Sequence, residues 1–318
     1  MNFGHFIEEG IISPSADPAI SIALLAYAAG DAVGAEYEFL AKPYIVQLDR
    51  LGAKPNWPFG GISDDTALTI LTIQAFGEYS KDKKKNLEEL FLTRLRESVP
   101  RLRGLGPTTR SVLGLPVGEK ETHEVGKSNG ALMRTALLGM AWPGNFFEAQ
   151  RRTVLELAQA THKDPSSGQV AVIGAELFSS SLGSACAFTL YEIVERSIQQ
   201  IPNCSAEIKR AFESPGEWEP PIAGISNNAI ETLQAVCYVA ASVSTCFDAY
   251  QLACLLGGDT DTVAALSAAL VTLRYPHSAN LLAIPWLKDV KWDEIPDLKG
   301  CAEILSKEHP AQMDTVRL

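Results

Sequence analysis

The chain has 318 residues and carries 27 Lys and Arg against 38 Asp and Glu, a formal charge of −11. A hydrophobic fraction of 46% and a charged fraction of 20% are globular values; they exclude a disordered or fibrous chain, and the length leaves ample interior for a core. The acidic balance argues against wrapping nucleic acid, which needs clustered Lys and Arg. The only dense basic run, Lys81 to Lys85, is short, carries Asp82 and reads as a solvated helix end.

In chain order, the segment Met1 to Gly10 holds Glu8 and Glu9 and no basic n-region, so it does not read as a secretory signal. Asp17-Pro18 reads as an N-cap followed by proline at the first helical position, opening a largely buried helix through AISIALLAYAAG. Thr66 to Phe76 is apolar nearly all round and should be buried too. The glycine- and proline-rich stretch from Pro100 to Gly130 is the longest irregular region and reads as a functional loop system. Asn145 with Glu148 resembles a capping box, opening a helix that must end before Pro165. Further helices are expected over about 168–182, 186–200, 227–243 and 247–256, and again after Asp261, where Val263, Leu266, Leu270 and Leu273 recur at helical spacing.

Strand and βαβ signals are nearly absent. The expected architecture is all-α, a compact single-domain helical bundle over 1–318, with 276–318 a C-terminal structural segment. Apolar stretches are broken by polar residues or glycines short of membrane-spanning length. Six cysteines (Cys186, Cys204, Cys237, Cys246, Cys254, Cys301) form no CxxC pair and fit buried thiols of a reducing compartment. A cytoplasmic protein with no nucleic-acid and no membrane partner is expected.

Three acidic segments contain no base: residues 30–39 with Asp31, Glu36 and Glu38, residues 60–70 with Asp64 and Asp65, and residues 257–266 with Asp259 and Asp261. Each adjoins a strongly apolar helix. Burying unpaired carboxylates is costly unless a cation compensates them, and a metal ion is the natural counter-charge. N-capping accounts for one acid per helix but not for the doubling, nor for the flanking Gly60-Gly61 and Gly257-Gly258, which would let backbone approach a bound group. Carboxylates with Ser63, Thr66, Thr260 and Thr262 are hard donors suited to Mg²⁺ or Mn²⁺, with Ca²⁺ a further option. The number of acids points to two ions.

A second constellation is SNGALMR, residues 128–134, where Ser128 and Asn129 can cap a helix starting near Gly130 and offer free N–H groups to a phosphate. His162, in THKDP, reads most simply as a helix C-cap. The loop arginines Arg101, Arg103 and Arg110 are either solvated surface or phosphate contacts.

Taken in order, GDAVGAEYEF, SDDT, SNGALMR, THKDP and GGDTDTVAAL, within about residues 20–275, resemble the ADP-ribosylglycohydrolase family, which includes the dinitrogenase-reductase-activating glycohydrolase. The resemblance implies that family's all-α fold, with two divalent cations, Mg²⁺ or Mn²⁺, in a cleft for ADP-ribose. It carries the metal ligands onto Glu38, Ser63, Asp64, Asp65, Asp259, Asp261 and Thr262. It carries the ADP-ribose pocket onto Ser128, Asn129, Gly130, Ala131 and His162. Ser63 stands where the family usually has threonine and Ser128 where it often has glycine, and a second histidine common near His162 is missing.

The reaction so implied is hydrolysis of the bond between ribose C1 and a modified protein side chain, arginine favoured over serine, with ADP-ribose as product. Cleavage passes through an oxocarbenium-like state that carboxylates stabilise, with Glu38 or Asp65 as the base for water. The alternatives are a two-metal phosphohydrolase, for which the acidic motifs offer no Lys, Arg or His, and a non-catalytic ADP-ribose-binding or immunity protein that blocks an ADP-ribosyltransferase.

Overall fold

The computed structural model describes residues 3–40, 46, 48–52, 57–119, 125–182 and 187–307. After a short α1 (Phe3–Glu8), α2 (Pro18–Tyr37) opens as expected, with Pro18 in its first turn and the Asp17 carboxylate accepting from Ala19 N at 2.7 Å. α3 (Asp64–Lys81) follows, buried from Asp64 through Ile73, and α4 (Leu87–Ser98) is capped by Asn86, which accepts from Glu89 N at 2.9 Å. The irregular region contains α5 (Pro107–Val112), and α6 (Gly130–Thr135) continues as a 3-10 turn to Ala141.

α7 (Glu148–Gln159) does not use the expected capping box: Phe147 is its N-cap residue, and the Asn145 amide instead donates to Pro143 O at 3.1 Å. α8 (Pro165–Leu182) starts at the proline itself, because Asp164 accepts from Ser166 N and Ser167 N and supplies the cap. α9 (Leu190–Gln200) carries a true Thr189–Glu192 capping box. α10 (Ala206–Ala211), α11 (Ala229–Ser242), α12 (Cys246–Leu256), α13 (Thr260–Arg274) and α14 (Leu298–Lys307) complete the bundle.

Among the described residues there is no strand, only two isolated bridges, Ser128 with Asn228 and Ile225 with Gly258. α2 and α13 form the central pair, with α12 and α11 against α13 and α14 against α2 and α3. Contrary to the expectation from sequence, α2 is long and apolar enough to cross a bilayer; here most of it is buried inside the protein, against α13. The C-terminal segment docks through Trp286 and Trp292, both buried, with Trp286 Nε1 donating to Leu48 O at 2.9 Å. Of the six cysteines, Cys186 lies outside the described residues and the other five are free and buried.

Candidate active site

The contact between α2 and α13 places the first group of acids. A Cβ on Gly30 would lie 2.7 Å from the backbone of Ala264 and Ala265, and one on Gly34 would lie 2.4 Å from the Asp261 Cα. The two glycines let the helices touch backbone to backbone, and Thr260 Oγ1 donates to Gly34 O at 2.7 Å across the contact. Glu38, just past the end of α2, thereby meets Asp259 and Asp261 at the start of α13, with a carboxylate oxygen from each within 4.8 Å of the others. Glu36 is turned away, close against Gly52.

One glycine of each pair sits against other backbone. Gly258, with φ 78°, approaches Ile225, whose carbonyl would lie 2.0 Å from an added Cβ; Gly60, with φ 70°, approaches Asp289 O equally closely. Both are folding requirements, since an L side chain is strained at positive φ and has no room there. The Gly258 contact also ties the 223–228 loop to α13, with Asp259 N donating to Ile225 O at 2.8 Å.

At α3 the cap is Ser63, whose Oγ accepts from Asp65 N at 3.1 Å. Asp31, fully buried in α2, accepts from Ser63 N at 2.8 Å and Thr66 N at 2.9 Å. With these two in place, Asp64 and Asp65 have no capping duty. At α13, Asp259 occupies the N-cap position but makes no side-chain cap bond. Its carboxylate is held by Asn129 Nδ2 and by Thr262 Oγ1, the latter at 3.2 Å. Asp65 Oδ2 is buried with no hydrogen-bond partner among the described residues.

Glu38, Asp64, Asp65, Asp259 and Asp261 line a cleft of about 640 Å³ whose only basic lining residue, among those described, is Arg110. Burial, then Asp31 and Glu38, push the Asp64 carboxyl up to about 8. Burial is also the first cause of the rise at Asp259, to about 6, and of the larger rises at Asp65 and Asp261. Such crowding of desolvated carboxylates, with one oxygen orphaned, is what a hard divalent cation relieves; the donor set fits Mg²⁺ or Mn²⁺.

Of the remaining candidates, Thr262, Ser128, Asn129 and Gly130 line the cleft; Ser63, Ala131 and His162 do not. Ala131 is fully buried, and His162, 1% exposed, sits behind Ser128 with Nε2 2.9 Å from the serine Oγ. The Asn129 amide reaches Asp259 and Thr232 and makes no cap bond to α6, so the helix starts at Gly130 as expected but without the side-chain cap expected from Asn129. Arg110 reaches the cleft, whereas Arg103 pairs with Glu294 at 2.8 Å.

Several lining residues escaped sequence reasoning. Phe39 and Leu40 stand exposed on the rim, and Ala223 to Asn227 form the facing edge. Only the glycine and asparagine content of 224–228 could have marked that loop. The lining run Gly104 to Pro107 does belong to the irregular region read as functional.

A family model described as ADP-ribosylglycohydrolase matches residues 17–313. A solved structure titled "ADP-ribosylglycohydrolase-related protein complex" is 25% identical, covers 91% of this chain and 97% of its own, and superposes with a TM-score of 0.71. No curated protein sequence matches.

Proposed function

Since this chain belongs to the ADP-ribosylglycohydrolase family, a family of glycohydrolases acting on ADP-ribose-containing substrates, we propose that it removes ADP-ribose from modified protein side chains, arginine-linked ones first. The observation carrying this reading is the cleft wall itself: Glu38, Asp64, Asp65, Asp259 and Asp261 face one cavity with Arg110 as its only basic lining residue among those described. A ligand bearing a diphosphate enters such a wall only if cations neutralise it.

Glu38, Ser63, Asp64, Asp65, Asp259, Asp261 and Thr262 would hold two divalent cations, Mg²⁺ or Mn²⁺, which supply Lewis-acid charge to orient a ribose diol and acidify water. The protein residues divide the remaining work. Asp31 fixes the start of α3 and with it Asp64 and Asp65; Asn129 fixes Asp259. The anionic wall stabilises positive charge developing at ribose C1 as its bond to the leaving nitrogen breaks. Asp65, with an unpartnered buried oxygen, is suited to take the proton from the attacking water, with Glu38 as the second candidate. The exposed Phe39 on the rim offers a face on which the adenine can stack. In the same reading the protein works in the cytoplasm, where its thiols stay reduced.

The test is release of ADP-ribose from an arginine-ADP-ribosylated protein with Mg²⁺ or Mn²⁺, then with EDTA, beside Asp261→Asn. Cation-dependent release lost on substitution is the expected result. If neither arginine-linked nor serine-linked substrate is cleaved, hydrolysis of modified protein is wrong and binding without chemistry takes its place.

A further inference from the structure

Behind the cleft wall runs a line of buried hydrogen bonds whose polarity can be assigned atom by atom. It begins at Arg134 of α6, 1% exposed, whose guanidinium lies 4.3 Å from the Phe91 ring centroid. Its Nη2 donates to Leu157 O at 2.7 Å, Ala158 O at 3.2 Å and Thr161 Oγ1 at 2.8 Å. A guanidinium only donates, so Thr161 Oγ1 accepts from it. The Thr161 hydroxyl proton then has one acceptor among the described residues, His162 Nδ1 at 2.8 Å.

A ring nitrogen that accepts is unprotonated, which places the imidazole proton on Nε2, facing Ser128 Oγ at 2.9 Å. On the other side, Thr108 Oγ1 accepts from Gly126 N at 2.8 Å and has Ser128 Oγ, 3.3 Å away, as the outlet for its own proton. Ser128 Oγ therefore receives two hydrogen bonds from the protein, and its own O–H is left for the cleft it lines. Reversing the line strands the Thr161 proton in the interior, an outcome folded proteins avoid.

We propose that Arg134, Thr161 and His162 are positioning residues that make the Ser128 hydroxyl a dedicated hydrogen-bond donor into the cleft, received by an oxygen of bound ADP-ribose; the ligand half of this rests on the function proposed above. Burial and the Arg134 charge hold the His162 imidazole down at about 3, so the line keeps its direction at any pH near neutral. The serine is this chain's own departure from the glycine common in the family, and a glycine would end the line without a donor.

Two measurements test it. In ¹⁵N–¹H spectra of the ligand-free protein, His162 is expected as the Nε2–H tautomer, unchanged across neutral pH; an Nδ1–H tautomer or an imidazolium overturns the polarity whether or not ADP-ribose binds. By calorimetry on the cation-loaded protein, Ser128→Ala and Ser128→Gly are expected to weaken ADP-ribose binding about tenfold, one hydrogen bond's worth. His162→Gln, whose amide can still donate to Ser128, is expected to bind like the parent, and His162→Leu like Ser128→Ala. Unchanged affinity in both Ser128 variants overturns the donor, and a folded His162→Gln as weak as His162→Leu overturns the positioning role. A parent protein that does not bind ADP-ribose at all overturns the function and the ligand half together, leaving the tautomer to decide the polarity.

Discussion

Gly34 and Asp261 touch through their backbones: a Cβ on the glycine would lie 2.4 Å from the Asp261 Cα. One contact thus ties the last turn of α2 to Asp261 in the first turn of α13, and neither helix can move without displacing Asp261 relative to Glu38. Gly34→Ala is expected to destabilise the protein by about 1–3 kcal/mol, the range of core overpacking, and to weaken cation binding. Gly216→Ala, where an added Cβ meets nothing within 4 Å, should leave both unchanged. Thermal unfolding with and without Mn²⁺ separates the two; equal melting temperatures for Gly34→Ala and Gly216→Ala would refute the close contact.

Asp65→Asn is expected to shift stability in opposite directions with and without cations. In EDTA it replaces a carboxyl that must take up a proton on folding, because burial first and then Asp31, Asp64 and Asp259 oppose its ionisation, so the melting temperature near neutral pH should rise by about 2 °C or more. The stabilisation conferred by Mn²⁺ should shrink, and turnover should fall about a hundredfold or more if Asp65 is the base. A substitution that lowers the melting temperature in EDTA would show that its carboxylate already has its counter-charge.

The same crowding sets the pH dependence of the cation-free protein. Asp64, raised to about 8, and Asp259, raised to about 6, bind protons in the folded state that they release on unfolding above about pH 4. Stability in EDTA should therefore be greatest at the acid side of this window and fall as pH rises from about 4 to 8. Mg²⁺ or Mn²⁺ should restore most of the loss. Denaturant titrations at each pH measure it, and a cation-free protein that gains stability toward pH 8 would contradict the assignment.

His162 works in the other direction. Its folded pKa of about 3 lies below the ordinary histidine value of 6.5, so unfolding takes up a proton between the two and stability falls as pH drops through that window. The slope is at most about 1.4 kcal/mol per pH unit. The difference between the parent and His162→Gln isolates this contribution from that of the acids. It should be constant above pH 7 and grow against the parent toward pH 4; a difference that stays flat would place His162 in contact with solvent.

Much of the fold could be read locally. Asp17-Pro18 opens α2 and the all-apolar run in α3 is buried, because capping chemistry and hydrophobic periodicity act over a few residues. Asn145 failed as a cap for the same reason in reverse: Phe147 begins the helix, and the asparagine amide bonds within its own turn. The acidic segments were legible because absence of a neighbouring base is itself a sequence fact, and it singled out acids that the fold then brings to one cleft.

The sequence by itself determined that this protein is helical, that its acids lack local partners and that they are paired with hard hydroxyl donors. Only the tertiary structure decided that Asp31 is a cap for α3 rather than a cleft acid, that Asn129 holds Asp259, and that His162 stands behind Ser128 without lining the cleft. It also decided that Gly60 and Gly258 make room for other backbone. Each of these depends on contact between residues far apart in the chain, such as Asn129 with Asp259 or Thr260 with Gly34. Local pattern carries the cost of burying a carboxylate, but its partner is set by how helices pack, and backbone-to-backbone approach at Gly34 is what sets that packing here.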